Sequence, residues 1–282
     1  MTNAILSHIL IKDAVAAALR EDLGDAGDLT TNACIPDDSE ISAEIVARKP
    51  GVVAGLEVAQ ATFDLMDPNI KTIIRNGDGT AVQPGDCLIK ISGRARSVLT
   101  AERVALNFLG RLSGIATATN ALVAAVANTN AKIACTRKTT PGLRAFEKYA
   151  VKCGGGINHR FGLYDAVMIK DNHIAAAGSI AGALQAVKEN VGHTVKIEIE
   201  VDTLDQLKTV LDHKADIVLL DNMSTETLKK AVAMANGKII LEASGNITID
   251  TVKAVAETGV DVISSGSITH SAPTLDVGLD FK

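Results

Sequence analysis

The sequence predicts an α/β protein in two parts: a small sheet with helices on one side, then an incomplete or seven-stranded (β/α) barrel. Three observations predict it. From about residue 132 onward, short apolar runs alternate with amphipathic stretches. Glu200, Asp221, Ser244 and Ser265 hold corresponding places at 21- to 23-residue intervals, the period of a minimal βα unit. Before residue 112 the strand-like pieces are shorter, half-polar and separated by Gly and Pro, which marks strands buried on one face only.

The first part, residues 1–112, opens with an amphipathic helix that includes Ile9, Val15 and Leu19. Strand candidates follow at 41–48, 70–76 and 86–93. In the first, Ile41, Ala43, Ile45 and Ala47 alternate with mostly polar neighbours, the period of a half-buried strand. The second part, 113–269, contains the strand candidates KIACT, AVMIK, VKIEIEV, DIVLLD, KIILEA and VDVISS. They are nearly all apolar, as parallel strands covered on both faces must be. Between them Ser179, Ser224 and Thr248 are placed to cap helices, and Thr203 with Gln206 forms a capping box. Gly259 is placed to close the last of these helices. Residues 270–282 are expected to pack back on the first part.

Composition excludes several classes of function. Lys and Arg number 28 against 33 Asp and Glu, a net charge of −5, so there is no overall basic footprint for nucleic acid. Two Tyr, five Phe and no Trp leave little for base stacking. Cys34, Cys87, Cys135 and Cys153 form no CxxC pair and read as reduced thiols of a cytoplasmic protein, with no zinc site. The amino-terminal apolar stretch is interrupted by His8, Lys12 and Asp13 and reads as a helix rather than a signal peptide. Residues 112–131 carry no charge but include Asn120, Asn128 and Asn130, so they read as a buried helix rather than a membrane span.

The strand ends carry the chemistry. Thr136-Arg137-Lys138, Lys170-Asp171, Glu200, Asp221, Ser244-Gly245 and Ser265-Gly266 each terminate an apolar run. In a (β/α) barrel these ends converge on the face that holds active sites. Between Arg137 and Lys170 seven cations face two acids, a local charge of +5 inside an acidic chain, which suggests an anionic ligand. Arg144, Lys148 and Lys152 lie at i, i+4 and i+8 and are expected to form an exposed stripe. Arg137, Lys138 and Lys170 end apolar strands, where an unpaired charge would be costly, and read as a polyanion site. Glu200 and Asp221, on successive strands, could share Mg2+ or bind ribose hydroxyls; two acids ending strands by chance is an equally good account. The run from Gly154 to Arg160 is by itself a weak phosphate signal.

Several motifs together resemble the quinolinate phosphoribosyltransferase family: Thr136 to Arg144, the GGGINHR run of 154–160, and Met168-Ile169-Lys170-Asp171-Asn172-His173. The likeness extends through Glu21-Asp22, Asp28-Leu29-Thr30-Thr31, Thr100-Ala101-Glu102-Arg103, Leu220-Asp221-Asn222-Met223, Glu242-Ala243-Ser244-Gly245 and Thr269-His270-Ser271. It implies an N-terminal α/β sandwich, a six- or seven-stranded incomplete barrel, and a homodimer or a hexamer of dimers. The implied reaction is Mg2+-dependent transfer of phosphoribosyl from phosphoribosyl pyrophosphate to quinolinate, with loss of CO2.

The resemblance also implies roles. Arg137, His159, Arg160 and Lys170 would hold the two carboxylates of quinolinate, with Thr136 nearby and the partner's Arg103 reaching in. Lys138, Glu200 and Asp221 would contact phosphoribosyl pyrophosphate and its Mg2+, the two acids directly or through water. Ser244, Gly245, Asn246, Ser265, Gly266 and Ser267 would cradle the phosphate; Asn246 stands where the family often has another glycine. Two related enzymes and one binding protein compete with this reading. The relative associated with molybdate transport tends to lack the equivalent of Lys170, and nicotinate phosphoribosyltransferase accepts one carboxylate. A phosphate-sensing barrel would leave Glu200 and Asp221 unexplained.

Overall fold

The structure, a computed structural model, describes residues 6–281. These form two compact units; elements are numbered along the chain. The first unit comprises the described residues up to Asn120, Ala145–Gly155, and the chain from Ala272. The second comprises Ala121–Arg144 and Gly156–Ser271.

In the first unit β1 (Glu40–Ala47), β3 (Lys71–Ile74), β5 (Cys87–Arg94) and β12 (Val277–Phe281) make an antiparallel sheet in the order β12-β1-β5-β3. A two-stranded ribbon of β2 (Gly51–Val52) and β4 (Ala81–Val82) stands apart from it. The helices are α1 (His8–Leu23), α2 (Leu29–Cys34), α3 (Leu56–Met66), α4 (Ala95–Ala125) and α5 (Arg144–Cys153). Ala43, Ile45 and Ala47 are buried as their alternation predicts. Ile45 and Ala47 join Ile89 and Ile91 of β5, Leu56 and Phe63 of α3, and Val98, Ala105 and Leu109 of α4 in one core.

Helix α4 is continuous across position 112, so the expected boundary between the two parts falls inside a helix rather than a linker. It holds the first portion of the uncharged run. The hydroxyls of Thr117 and Thr119 donate to the carbonyls of Ser113 and Ile115 at 2.7 and 2.8 Å, which satisfies buried polar groups within the helix itself. No helix among the described residues is long and apolar enough to cross a membrane. Gly114 lets the returning C-terminal segment lie directly on this helix, because a Cβ there would overlap the Pro273 carbonyl oxygen. Gly114→Ala is therefore expected to cost about 1–3 kcal/mol of stability, seen as a lower urea midpoint at unchanged slope.

One expectation fails on α5. Arg144, Lys148 and Lys152 do not form an exposed stripe: Lys148 is wholly buried and the other two are half-buried. Helical spacing shows which residues share a face but not whether that face meets water. Here the same helix also buries Phe146 and Glu147, and Glu147 accepts from the Arg111 guanidinium at 2.7 Å.

The second unit is a six-stranded parallel sheet in the order β6-β11-β10-β9-β8-β7. Its strands are β6 (Lys132–Ala134), β7 (Val167–Ile169), β8 (Ile197–Val201), β9 (Ile217–Asp221), β10 (Ile240–Ser244) and β11 (Val262–Ser264). The outermost strands β6 and β7 are not paired with each other, and a single parallel bridge places Ile157 beside Ala134 of β6. This is the incomplete barrel, six strands with an isolated bridge at one edge. The helices are α6 (Asp171–Ala177), α7 (Ile180–Asn190), α8 (Leu204–His213), α9 (Thr225–Ala235), α10 (Val252–Ala256) and α11 (Ser267–His270). Ser179, Thr203 and Ser224 cap theirs as predicted, and Thr203 completes a capping box with Gln206. Thr248 opens a turn instead of a helix: α10 starts only at Val252, after Thr251.

Candidate active site

The predicted strand-end residues of the second unit lie at the C-terminal ends of its strands or just beyond. Lys170, immediately after β7, sets its ammonium 2.6 Å from the Glu200 carboxylate on neighbouring β8. Asp221 ends β9 and accepts from the Asn222 amide at 2.7 Å. Asn222 in turn accepts from Asn246 at 3.1 Å. Between them Gly245 adopts φ +101°, and a Cβ there would overlap the Asn222 side chain, so the loop after β10 requires glycine at this position. Asn246 is itself left-handed, φ +51°, a conformation asparagine tolerates better than most residues.

On the other side of the sheet, the Thr136 hydroxyl accepts from the Lys138 N–H at 3.0 Å, and the Lys138 carbonyl accepts from Thr269 at 2.7 Å. The stem of Lys138 lies against Gly266, which joins the ends of β6 and β11. Ser265 and Ser267 share a hydrogen bond of 2.7 Å. Ser244 is half-buried at the end of β10, in register with Asp221. The strand order thus brings together Thr136 and Lys138 with Gly266, Lys170 with Glu200, and Asp221 with the Gly245-Asn246 loop. Arg103 is exposed on α4 of the first unit.

Deeper in the second unit lie Arg137 and Arg160. Each has a buried Nε–H with no acceptor, the costly condition that a ligand anion relieves. Burial, and then the neighbouring Arg137, pull the Arg160 pKa down, while Glu198 and Asp165 oppose the shift. Arg160 also donates to the Ala166 carbonyl at 3.2 Å. Two adjacent guanidiniums with unmet donors are chemically able to take carboxylates, which accept two parallel N–H bonds.

His159 makes two contacts within the protein. Its Nδ1 accepts from the Arg160 N–H at 2.7 Å, which puts the ring proton on Nε2, 2.8 Å from the Glu198 carboxylate. Both nitrogens thus face protein groups. The reason is the acid pair beneath it: Glu198 on β8 and Glu242 on β10, each about 4% exposed. Burial first, and then the Glu198 charge, push the Glu242 carboxyl up to about 7. Glu198 lies in no motif of the sequence, and Glu242 enters only as the first residue of the Glu242-Ala243-Ser244-Gly245 run. The signal was present, because an acid in the middle of an all-apolar parallel strand must find a partner or keep a proton.

The donor set at the strand ends fits Mg2+. Glu200 and Asp221 are oxygen ligands on adjacent parallel strands, and Mg2+ commonly takes one or two carboxylates and completes its shell from phosphates and water. These two residues would hold it.

Comparison with known proteins bears on the whole chain. Residues 28–113 and 115–280 match the models of the N-terminal and C-terminal domains of quinolinate phosphoribosyl transferase. A probable nicotinate-nucleotide pyrophosphorylase [carboxylating] of Bacillus subtilis is 42% identical over 275 residues, spanning 98% of this chain and 94% of that one. The nicotinate-nucleotide pyrophosphorylase [carboxylating] of Mycobacterium leprae is 43% identical, covering 95% of this chain and 96% of its own. Among solved structures, NadC from Streptococcus pyogenes superposes with a TM-score of 0.95 at 42% identity, over 99% of this chain and 100% of its own. Two matching domain models, relatives covered over nearly their whole length and a superposition over nearly the whole chain agree: the chain belongs to the quinolinate phosphoribosyltransferase family.

Proposed function

We propose that this protein transfers phosphoribosyl from phosphoribosyl pyrophosphate to quinolinate with decarboxylation. The products are nicotinate mononucleotide, pyrophosphate and CO2, a step of de novo NAD biosynthesis. The observation that carries the reading is the guanidinium pair Arg137 and Arg160 with unmet buried donors, in the unit whose strand ends also carry Lys170, Glu200 and Asp221. A dicarboxylate fills the first feature, and a pyrophosphorylated sugar suits the second.

The arginines hold the ring carboxylates so that the pyridine nitrogen faces C1 of the ribose. The nitrogen lone pair forms the new bond to C1 as the bond to pyrophosphate breaks, so the attack needs no general base. Lys138 and Lys170 stabilise the charge that develops on the departing group. Glu200 and Asp221 would hold Mg2+, which would supply further neutralisation of the phosphate charge. Once N-ribosylated, the ring is cationic and accepts the electron pair of the bond to the 2-carboxylate; CO2 leaves and C2 takes up a proton. Ser244, Gly245, Asn246, Ser265, Gly266 and Ser267 cradle the 5-phosphate.

The direct test is incubation with quinolinate, phosphoribosyl pyrophosphate and Mg2+. Equal amounts of nicotinate mononucleotide and CO2, both abolished by EDTA, are expected. Product from nicotinate but none from quinolinate would overturn the reading.

The reading includes a dimer in which the partner's Arg103 completes each site, whether or not dimers assemble further. Mixing inactive Arg103→Ala with inactive Lys170→Met chains should then restore about a quarter of wild-type activity, because half of random dimers carry one intact site of two. No recovery after confirmed subunit exchange would place Arg103 outside the site. The reading also includes a cytoplasmic setting, in which Cys34, Cys87, Cys135 and Cys153 stay reduced.

A further inference from the structure

Beneath the proposed carboxylate cradle, the second unit contains a buried polar cluster to which the reaction assigns no part. His159, Glu198 and Glu242 bring one ligand atom each to within 4.8 Å of one another. Glu198 Oε1 and Glu242 Oε1 are buried without a hydrogen-bond partner. A parallel barrel interior is ordinarily filled with branched apolar side chains, so two acids here need an account.

A cation could sit among three such groups, but the local bonding argues against it. His159 Nε2 carries the ring proton toward Glu198, because Nδ1 is already accepting. Arg160, charge-coupled to both Glu198 and Arg137, adds positive charge nearby. A proton is the smaller occupant and offsets the repulsion between the acids directly. The groups facing Glu242 support this. Glu198 comes from β8, His159 from the segment after α5, and Ser264 from β11, while β9 presents Leu219 in register with it.

We propose that Glu242 is a positioning residue of the anion site, holding a proton that keeps the acid pair at a single negative charge while a dicarboxylate occupies the guanidiniums above. This rests on the quinolinate reading. Unliganded, Arg160 offsets the Glu198 charge; a bound dianion takes up that offset, so the Glu198 charge acts in full on Glu242 and favours its protonated form. Binding therefore takes up a proton, and by reciprocity the protonated state binds the anion more tightly. Quinolinate is dianionic throughout the neutral range, so its own titration does not contribute.

The test is calorimetric titration of the whole protein with quinolinate in two buffers of different ionisation enthalpy, for wild type and Glu242→Gln. Wild type should take up a fraction of a proton per site near neutrality. Its Kd should weaken about fivefold or more from about pH 6 to about pH 8.5. Glu242→Gln, which mimics the protonated acid, should take up none and keep a pH-independent Kd close to the wild-type value at low pH. A merely structural Glu242 would give a variant that binds weakly at every pH with the wild-type slope intact, which overturns the proposal, as does wild-type binding without proton uptake. Should quinolinate bind neither protein, the functional reading falls, and infrared spectroscopy decides the remainder. A protonated-carboxyl band in wild type that is absent from Glu242→Gln sustains the proton on Glu242, and its absence from both removes it.

Discussion

Arg160→Ala is expected to lower kcat/KM for quinolinate by about 2–5 kcal/mol of binding or transition-state stabilisation, the range for deleting one partner of a desolvated charge pair. That is roughly thirtyfold to several thousandfold, and Arg137→Ala should fall in the same range. Arg160 is close enough to Arg137 for the two charges to oppose each other, and each Nε–H lacks an acceptor. The unliganded protein thus retains a desolvation and repulsion cost that only an anion removes. Either substitution should therefore relieve the free protein, leaving its denaturation midpoint unchanged or raised while substrate affinity collapses. Wild-type kcat/KM in both variants would remove the carboxylate assignment.

Lys170→Met should lower kcat by about 10²- to 10³-fold, the usual effect of removing one preorganised donor at a developing anion. The ammonium sits 2.6 Å from Glu200 with its side chain 45% exposed, so the ion pair itself contributes little stability in solvent. The loss should appear in turnover while the melting temperature stays within a degree or two. Glu200→Gln tests the other half of the pair by leaving Lys170 without its carboxylate. If Glu200 also serves Mg2+, the variant should need a higher Mg2+ concentration for half-maximal rate, whereas a purely orienting Glu200 would leave that concentration unchanged. A double-mutant cycle over Lys170 and Glu200 separates the two contributions.

Glu242 also ties stability to pH. Its carboxyl is raised by burial and by the Glu198 charge, so between the ordinary carboxylate range and neutrality the folded protein binds more protons than the unfolded chain. Stability contributed by this group is then fully present at the acidic end of that window and is lost as pH rises through it. Glu242→Gln should abolish that part of the pH dependence.

The sequence by itself determined the class of each element and the residues at the strand ends. Periodicity of 21–23 residues, capping residues such as Thr203 with Gln206, and polar groups closing apolar runs are local signals, because each element's own geometry imposes them. The same local signals could not show that Lys148 is buried, or that α4 runs unbroken past residue 112. Nor could they show that both His159 nitrogens face protein groups. Those outcomes depend on which strands become neighbours. Glu198 and Glu242 are 44 residues apart in sequence and sit on strands separated only by β9. The proton proposed for Glu242 depends on the sheet order that puts two acids and one imidazole in the same buried volume. Burial and Coulomb interaction act across space and leave no periodic trace along the chain.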